Sequence, residues 1–154
     1  MIRFVAFGAA LLWGRLAMRV GAKRAIMISL AIWALVVTYA YFGLQGESRV
    51  QEFWLLGAAI ALVMGGSQAI SRSLFAQMIP KGKEAEFFSI YEISERGTSW
   101  LGPLLFGLVN QLFNNLRLAI ISLIVFFVLG LVLLSLVNVR QAIVESGNEV
   151  PAKI

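Results

Sequence analysis

The chain contains no cysteine, no histidine and, read from end to end, no aspartate. Without cysteine there is no disulfide, no thiolate nucleophile and no cysteine metal site. Without histidine the commonest general base and metal ligand is missing. Neither a metalloenzyme nor a Ser-His-Asp hydrolase is expected from what remains. Charge is scarce as well: only 14% of residues are Asp, Glu, Lys or Arg, against roughly 25% in an ordinary soluble domain.

What is abundant is apolar surface, 60% of the chain. It comes in runs of the length that a bilayer's hydrocarbon demands of a helix, about 20 residues. Four full spans can be drawn: 25–44, 53–77, 87–113 and 118–139. Each is too long and too evenly apolar for the alternating strands of a membrane barrel. The fold class predicted is therefore all-α, a polytopic membrane helix bundle over 1–139, with 140–154 a polar, disordered tail. Connectors are short: 45–52, a segment in which Pro80 and Gly82 stop a helix, and the Asn114-Asn115-Leu116-Arg117 turn.

The net charge of +5 does not point to nucleic acid, because the basic residues sit in clusters between apolar runs rather than along one polar face. Counted over alternate connectors, Arg15, Arg19, Lys23, Arg24, Lys81, Lys83, Arg140 and Lys153 fall on one side, and only Arg49 and Arg117 on the other. The positive-inside rule makes the richer side, and the C-terminal tail, cytoplasmic. Residues 2–13 form a further apolar run of about 18 Å as a helix, too short to span. It reads as the end of a membrane helix whose upstream part is missing, or as an interfacial helix.

The basic connector carries more than charge. Gly14, Arg15, Leu16, Ala17, Arg19, Gly21, Lys23 and Arg24 resemble the G-x-L-A-D-R-x-G-x-K/R-R signature of the major facilitator superfamily. Met18 stands where that signature has Asp, and its thioether carries no charge for the helix latch attributed to the Asp. A longer stretch, Gly65 to Leu112, looks like the penultimate helix pair of the "unknown major facilitator" branch, which includes vacuolar amino-acid effluxers. The resemblance implies a partial major facilitator fold: the end of helix eight, then helices nine to twelve. It implies secondary active transport of a small polar solute across the lipid bilayer by alternating access, with no catalytic residues, no bound metal or cofactor, and a missing N-terminal half as partner. It implies a multi-pass protein of the cell membrane, and a cytoplasmic gating role for Gly14, Arg15, Arg19, Gly21, Lys23 and Arg24. The alternative is a small non-transporting membrane protein packed against a membrane partner.

The residues themselves add a site. Gly57, Ala61, Gly65 and Ala69 recur every fourth position, a ridge of small side chains that lets a second helix approach closely in lipid. Gln68 and Arg72 project from the same sector of the wheel, Arg72 either snorkelling to a headgroup or serving function. In the third span Ser89, Glu92, Arg96, Ser99, Pro103 and Asn110 share one face. Ionisable groups in hydrocarbon face a cavity or one another. Glu92 and Arg96 are spaced i,i+4 with the acid first, the favourable order for a helical pair. Glu95 is left to pair with Arg72 across the helices, in a gating network, or to carry a proton. Gly102 and Pro103 lie mid-span, where a missing N–H predicts a bend or break.

Overall fold

In the computed structural model, residues 2–43 and 49–151 are described; the connector residues Gln45, Gly46 and Glu47 and the tail's Lys153 lie outside them. Every regular element among the described residues is a helix. α1 (Ile2–Val20), α2 (Ala22–Gly43) and α3 (Arg49–Gln77) lead, followed by α4 (Glu84–Thr98) and α5 (Leu101–Phe113). α6 (Leu116–Ser122), α7 (Ile124–Leu136) and α8 (Val139–Glu145) complete the chain. Among the described residues three stretches are long and apolar enough to cross a membrane: Ala22–Phe42, Val50–Gln77 and Leu116–Leu136.

The expected third span, 87–113, is two helices. Ser99 and Trp100 between them keep right-handed helical dihedrals, so α4 and α5 make one bent rod and not a hairpin. The cause is Pro103, which has no N–H to offer the carbonyl of Ser99; the ladder resumes where Leu104 N–H donates to Trp100 O at 3.0 Å.

The basic connector also differs from expectation. Residues 14–24 are not a loop; α1 continues through Arg15 and Arg19 to Val20, and the chain turns on Gly21 alone. Gly21 has φ 96°, a left-handed conformation that a Cβ makes costly. Its N–H caps α1 by donating to Ala17 O at 2.9 Å, and its own carbonyl starts α2 through Ala25 N–H at 3.0 Å. α1 is thus 19 residues long, and not the 12-residue stub read from its apolar run. At the other end of the bundle Asn114 takes φ 47° to close α5, and the Asn115 side chain accepts from the N–H groups of Arg117 and Leu118 to open α6. Asn is the side chain that tolerates this region best.

The core lies at the end of the bundle that carries the basic connectors. Trp13 of α1, Ala25 and Ile26 of α2, Val63, Ile70 and Leu74 of α3, and Val139 and Ile143 of α8 are buried together. Residues 140–154 are therefore not a disordered tail through their described part: Ile143 and Val139, 0% and 2% exposed, are the largest fully buried side chains. A seven-residue helix has little stability of its own; packing of these two side chains holds it. Ser29, also buried, returns its hydroxyl to Ile26 O at 2.7 Å. Farther along, Trp33 of α2 stacks on Phe127 of α7 at 5.5 Å. Much of α7, including Val125, Leu129, Val132, Leu133 and Leu136, is exposed, as suits a lipid-facing rim. Ala119 of α6 departs from that rim and is fully buried.

Candidate functional site

α3 is 29 residues long and carries Arg72 little more than a turn from its basic end. α4 begins at the same end after the turn at 78–83, in which Gly82 has φ 87°. This reversal sets Arg72 opposite the third turn of α4. Arg72 Nη2 donates to Glu92 Oε1 at 2.8 Å and to Glu95 Oε2 at 3.3 Å. Glu92 Oε2 in turn meets Arg96 Nε at 3.6 Å, the i,i+4 pair. Both pairings expected from the spacing are present, and Glu92, not Glu95, is the closer partner of Arg72. One guanidinium thus bridges two acids on one helix face, and a second cation completes two positive and two negative charges.

An aromatic floor supports the bridge. Phe75 of α3 meets Phe88 at 5.6 Å and Tyr91 at 4.9 Å between ring centroids, and the Arg72 guanidinium lies 6.0 Å from the Tyr91 ring. Such contacts fix the approach of α4 without sealing it. The side chains of Arg72, Glu92 and Glu95 remain 50%, 39% and 44% exposed, so the network lies on the surface of this chain and not in a closed core.

Three hydroxyls of α4 and its C-cap are otherwise engaged. Ser89 donates to Ala85 O, Thr98 to Ser94 O and Ser99 to Arg96 O, all at 2.7 or 2.8 Å. They satisfy themselves on their own helix and favour its bend. Ser99 and Pro103 therefore shape the rod rather than join the network. Gln68 is exposed one turn before Arg72. Asn110 lies roughly 27 Å from Glu92 along the rod, in a cleft of about 560 Å³ lined also by Asn114, Asn115 and Arg117. The polar stripe thus splits between two ends of the bundle.

The predicted small-residue ridge is not where the helices of this chain approach most closely. Gly57 and Ala69 are exposed, and a side chain added at Gly57 or Gly102 would meet nothing. The close approach is one position away, at Gly66, whose missing side chain makes room for the indole of Trp13. Trp13 Nε1 donates to Leu62 O at 3.1 Å, one turn earlier on α3. A tryptophan facing a glycine across 49 to 53 residues leaves no periodic signal.

Of the six connector residues, Arg15, Arg19 and Arg24 are exposed, and Gly14 has open space where a side chain would sit. Met18 is 73% exposed. Lys23 is the one with a structural partner: its Nζ donates to Ser135 O at 3.0 Å and Val137 O at 2.8 Å, closing the C-terminus of α7. In the turn before α4, the N–H groups of Glu84 itself and of Gly82 hold the Glu84 carboxyl below the ordinary carboxylate value. Among the described residues no cluster of His, Cys, Asp or Glu is suited to a metal ion.

The chain is similar in sequence to known proteins. The profile of the family described as vacuole effluxer Atg22 like matches residues 1–147. YxiO of Bacillus subtilis, an uncharacterized MFS-type transporter, is 38% identical over 144 residues, which cover 92% of this chain and 33% of the relative. Autophagy-related protein 22 of Kluyveromyces lactis is 37% identical over 111 residues, 69% of this chain and 23% of its own length. That of Saccharomyces cerevisiae S288c is 32% identical over 120 residues, 75% and 23% respectively. The chain spans a third or less of the length of these curated relatives. No solved structure matches it. Matched along nearly its whole length, the chain belongs to the vacuole effluxer Atg22-like family of MFS-type transporters.

Proposed function

We propose that this chain is the C-terminal part of a secondary active transporter that moves a small polar solute by alternating access, and that the Arg72–Glu92–Glu95–Arg96 network is a gate on its cytoplasmic side. The observation that carries the reading is the Arg72 bridge: two carboxylates on α4 held at 2.8 and 3.3 Å by one cation on α3, in a chain otherwise solvated by lipid. Charges in such a place are costly unless they serve a wet pathway. A bridge made of exposed salt contacts separates at less cost than a packed apolar seam, which is what a gate requires.

The engagement of Glu95 by Arg72 favours the gating role over a proton-carrying one. The small-residue ridge, with Gly57 and Ala69 exposed in this chain, is then the face offered to helices of the other half of the transporter, whose cavity needs both halves. Arg15, Arg19, Lys23, Arg24, Lys81, Lys83 and Arg140 give the gate's end the excess of positive charge that sets it in the cytoplasm of a cell-membrane protein.

The test uses the intact protein in membrane vesicles loaded with an equimolar mixture of isotopically labelled polar metabolites. Arg72→Glu, Glu92→Arg and Glu95→Arg should each lose transport, and Arg72→Glu combined with either acid reversal should recover part of it. Failure of both combinations to recover any transport, with normal amounts of protein in the membrane, sinks the gate. Transport of none of the labelled solutes by the unaltered protein counts against the small polar solute itself.

A further inference from the structure

The last carbonyls of a helix have no partner within it, and at a membrane edge they need donors from elsewhere. Two helices here are served by distant residues. Lys23 of α2 closes α7, as described. The Asn148 amide closes α3, donating from Nδ2 to Gln77 O at 3.0 Å and to Ile79 O at 2.7 Å. Asn148 is brought there by its own local geometry. The Asn138 side chain opens α8 by accepting from Gln141 N–H. Gly147, with φ 74°, ends it, and Asn148 N–H returns to Ile143 O at 3.2 Å, the six-to-one bond of a Schellman turn. Between these two polar ties Val139 and Ile143 are buried against α1, α2 and α3.

We infer that residues 138–150 are a clamp that fixes the ends of α2, α3 and α7 at one spacing, so that α1–α3, α7 and α8 behave as one body and the α4–α5 rod is the element that shifts against it. The contrast in burial supports this division. Within this chain the clamp contributes the two largest fully buried side chains, whereas α4 and α5 contain no buried residue at all. The rod's link to α3 is the Arg72 bridge and the ring contacts of Phe75, which are surface interactions. Elements with few buried contacts are the ones that open first.

Amide hydrogen exchange of the intact protein in lipid nanodiscs tests the clamp without measuring transport, so its failure leaves the transporter reading standing. Amides of residues 142–148 should be as protected as the end of α3 at Met78 and Ile79, and more protected than those of α4. Asn148→Ala should speed exchange both in 142–148 and at 78–79, roughly 5- to 30-fold, while leaving α5 unchanged. Asn148→Asp, equal in shape but without the donor, should do the same if the alanine variant fails to assemble. Exchange of 142–148 at coil rates in the unaltered protein overturns the clamp. So does an effect of either variant confined to residues 146–150.

Discussion

Gly66→Ala is a small change with a sign that depends on one partner. The added Cβ would fall on the Cβ, Cγ and Cδ1 of Trp13, the stem of the side chain and not a flexible tip. The indole cannot swing away freely, because Nε1 is held by Leu62 O at 3.1 Å. Relief requires α1 and α3 to part, or Trp13 to leave its hydrogen bond. Overpacking of this kind costs about 1–3 kcal/mol, and a forfeited hydrogen bond about 0.5–1.5 kcal/mol more. Against this, replacing glycine by alanine inside a helix gains about 1 kcal/mol. The steric terms win, and Gly66→Ala should destabilise by about 1–3 kcal/mol. In a Trp13→Ala background only the helical gain remains, so the same substitution should be neutral or stabilising there. The assay is equilibrium unfolding of the intact protein in lipid–detergent micelles, run as a double-mutant cycle. Equal destabilisation in both backgrounds would refute the reasoning, as would a Gly66→Ala variant as stable as the parent.

Two further outcomes follow from the turns. Gly21→Ala should lower stability by about 1–2 kcal/mol, read as a lower melting temperature, and Gly21→Asn should recover part of it because asparagine tolerates the left-handed conformation. The depressed native value of Glu84 means that its contribution is complete above the ordinary glutamate value and is lost as pH falls through the lower, native one. Melting temperatures of the parent and Glu84→Gln should therefore differ at neutral pH and converge in acid, and a difference that persists or grows on acidification contradicts the assigned hydrogen bonds.

The candidate site was legible where its geometry is local. Glu92 and Arg96 meet because four residues of helix bring them to one face, and that holds in any helix. Their partner Arg72 was legible too, because intramembrane charges seek each other and the 78–83 turn leaves α4 no other neighbour so near in sequence. Which acid it prefers was not legible: Glu92 and Glu95 lie one turn apart, and only the tilt of α4 against α3 chooses. The 14–24 segment misled for a related reason. Its charges and glycines mark a turn, but a helix accepts exposed arginines readily, so the turn shrinks to the one glycine whose φ requires it.

Composition and local spacing by themselves determined that lipid is the solvent, that the spans are helices, that the chain reverses near Pro80 and Gly82 and at 114–117, and that Pro103 interrupts a rod. These follow from steric and solvation rules acting within about a turn of helix. Tertiary structure alone decided that Trp13 fills the space at Gly66, that Lys23 and Asn148 close helices 112 and 71 residues away, and that the C-terminal segment is core rather than tail. Side chains of the same kind lie all along the chain, and no spacing rule says which distant carbonyl or cavity each will find. That choice is made when whole helices pack, because only then are the last carbonyls of α3 and α7 brought within reach of a donor.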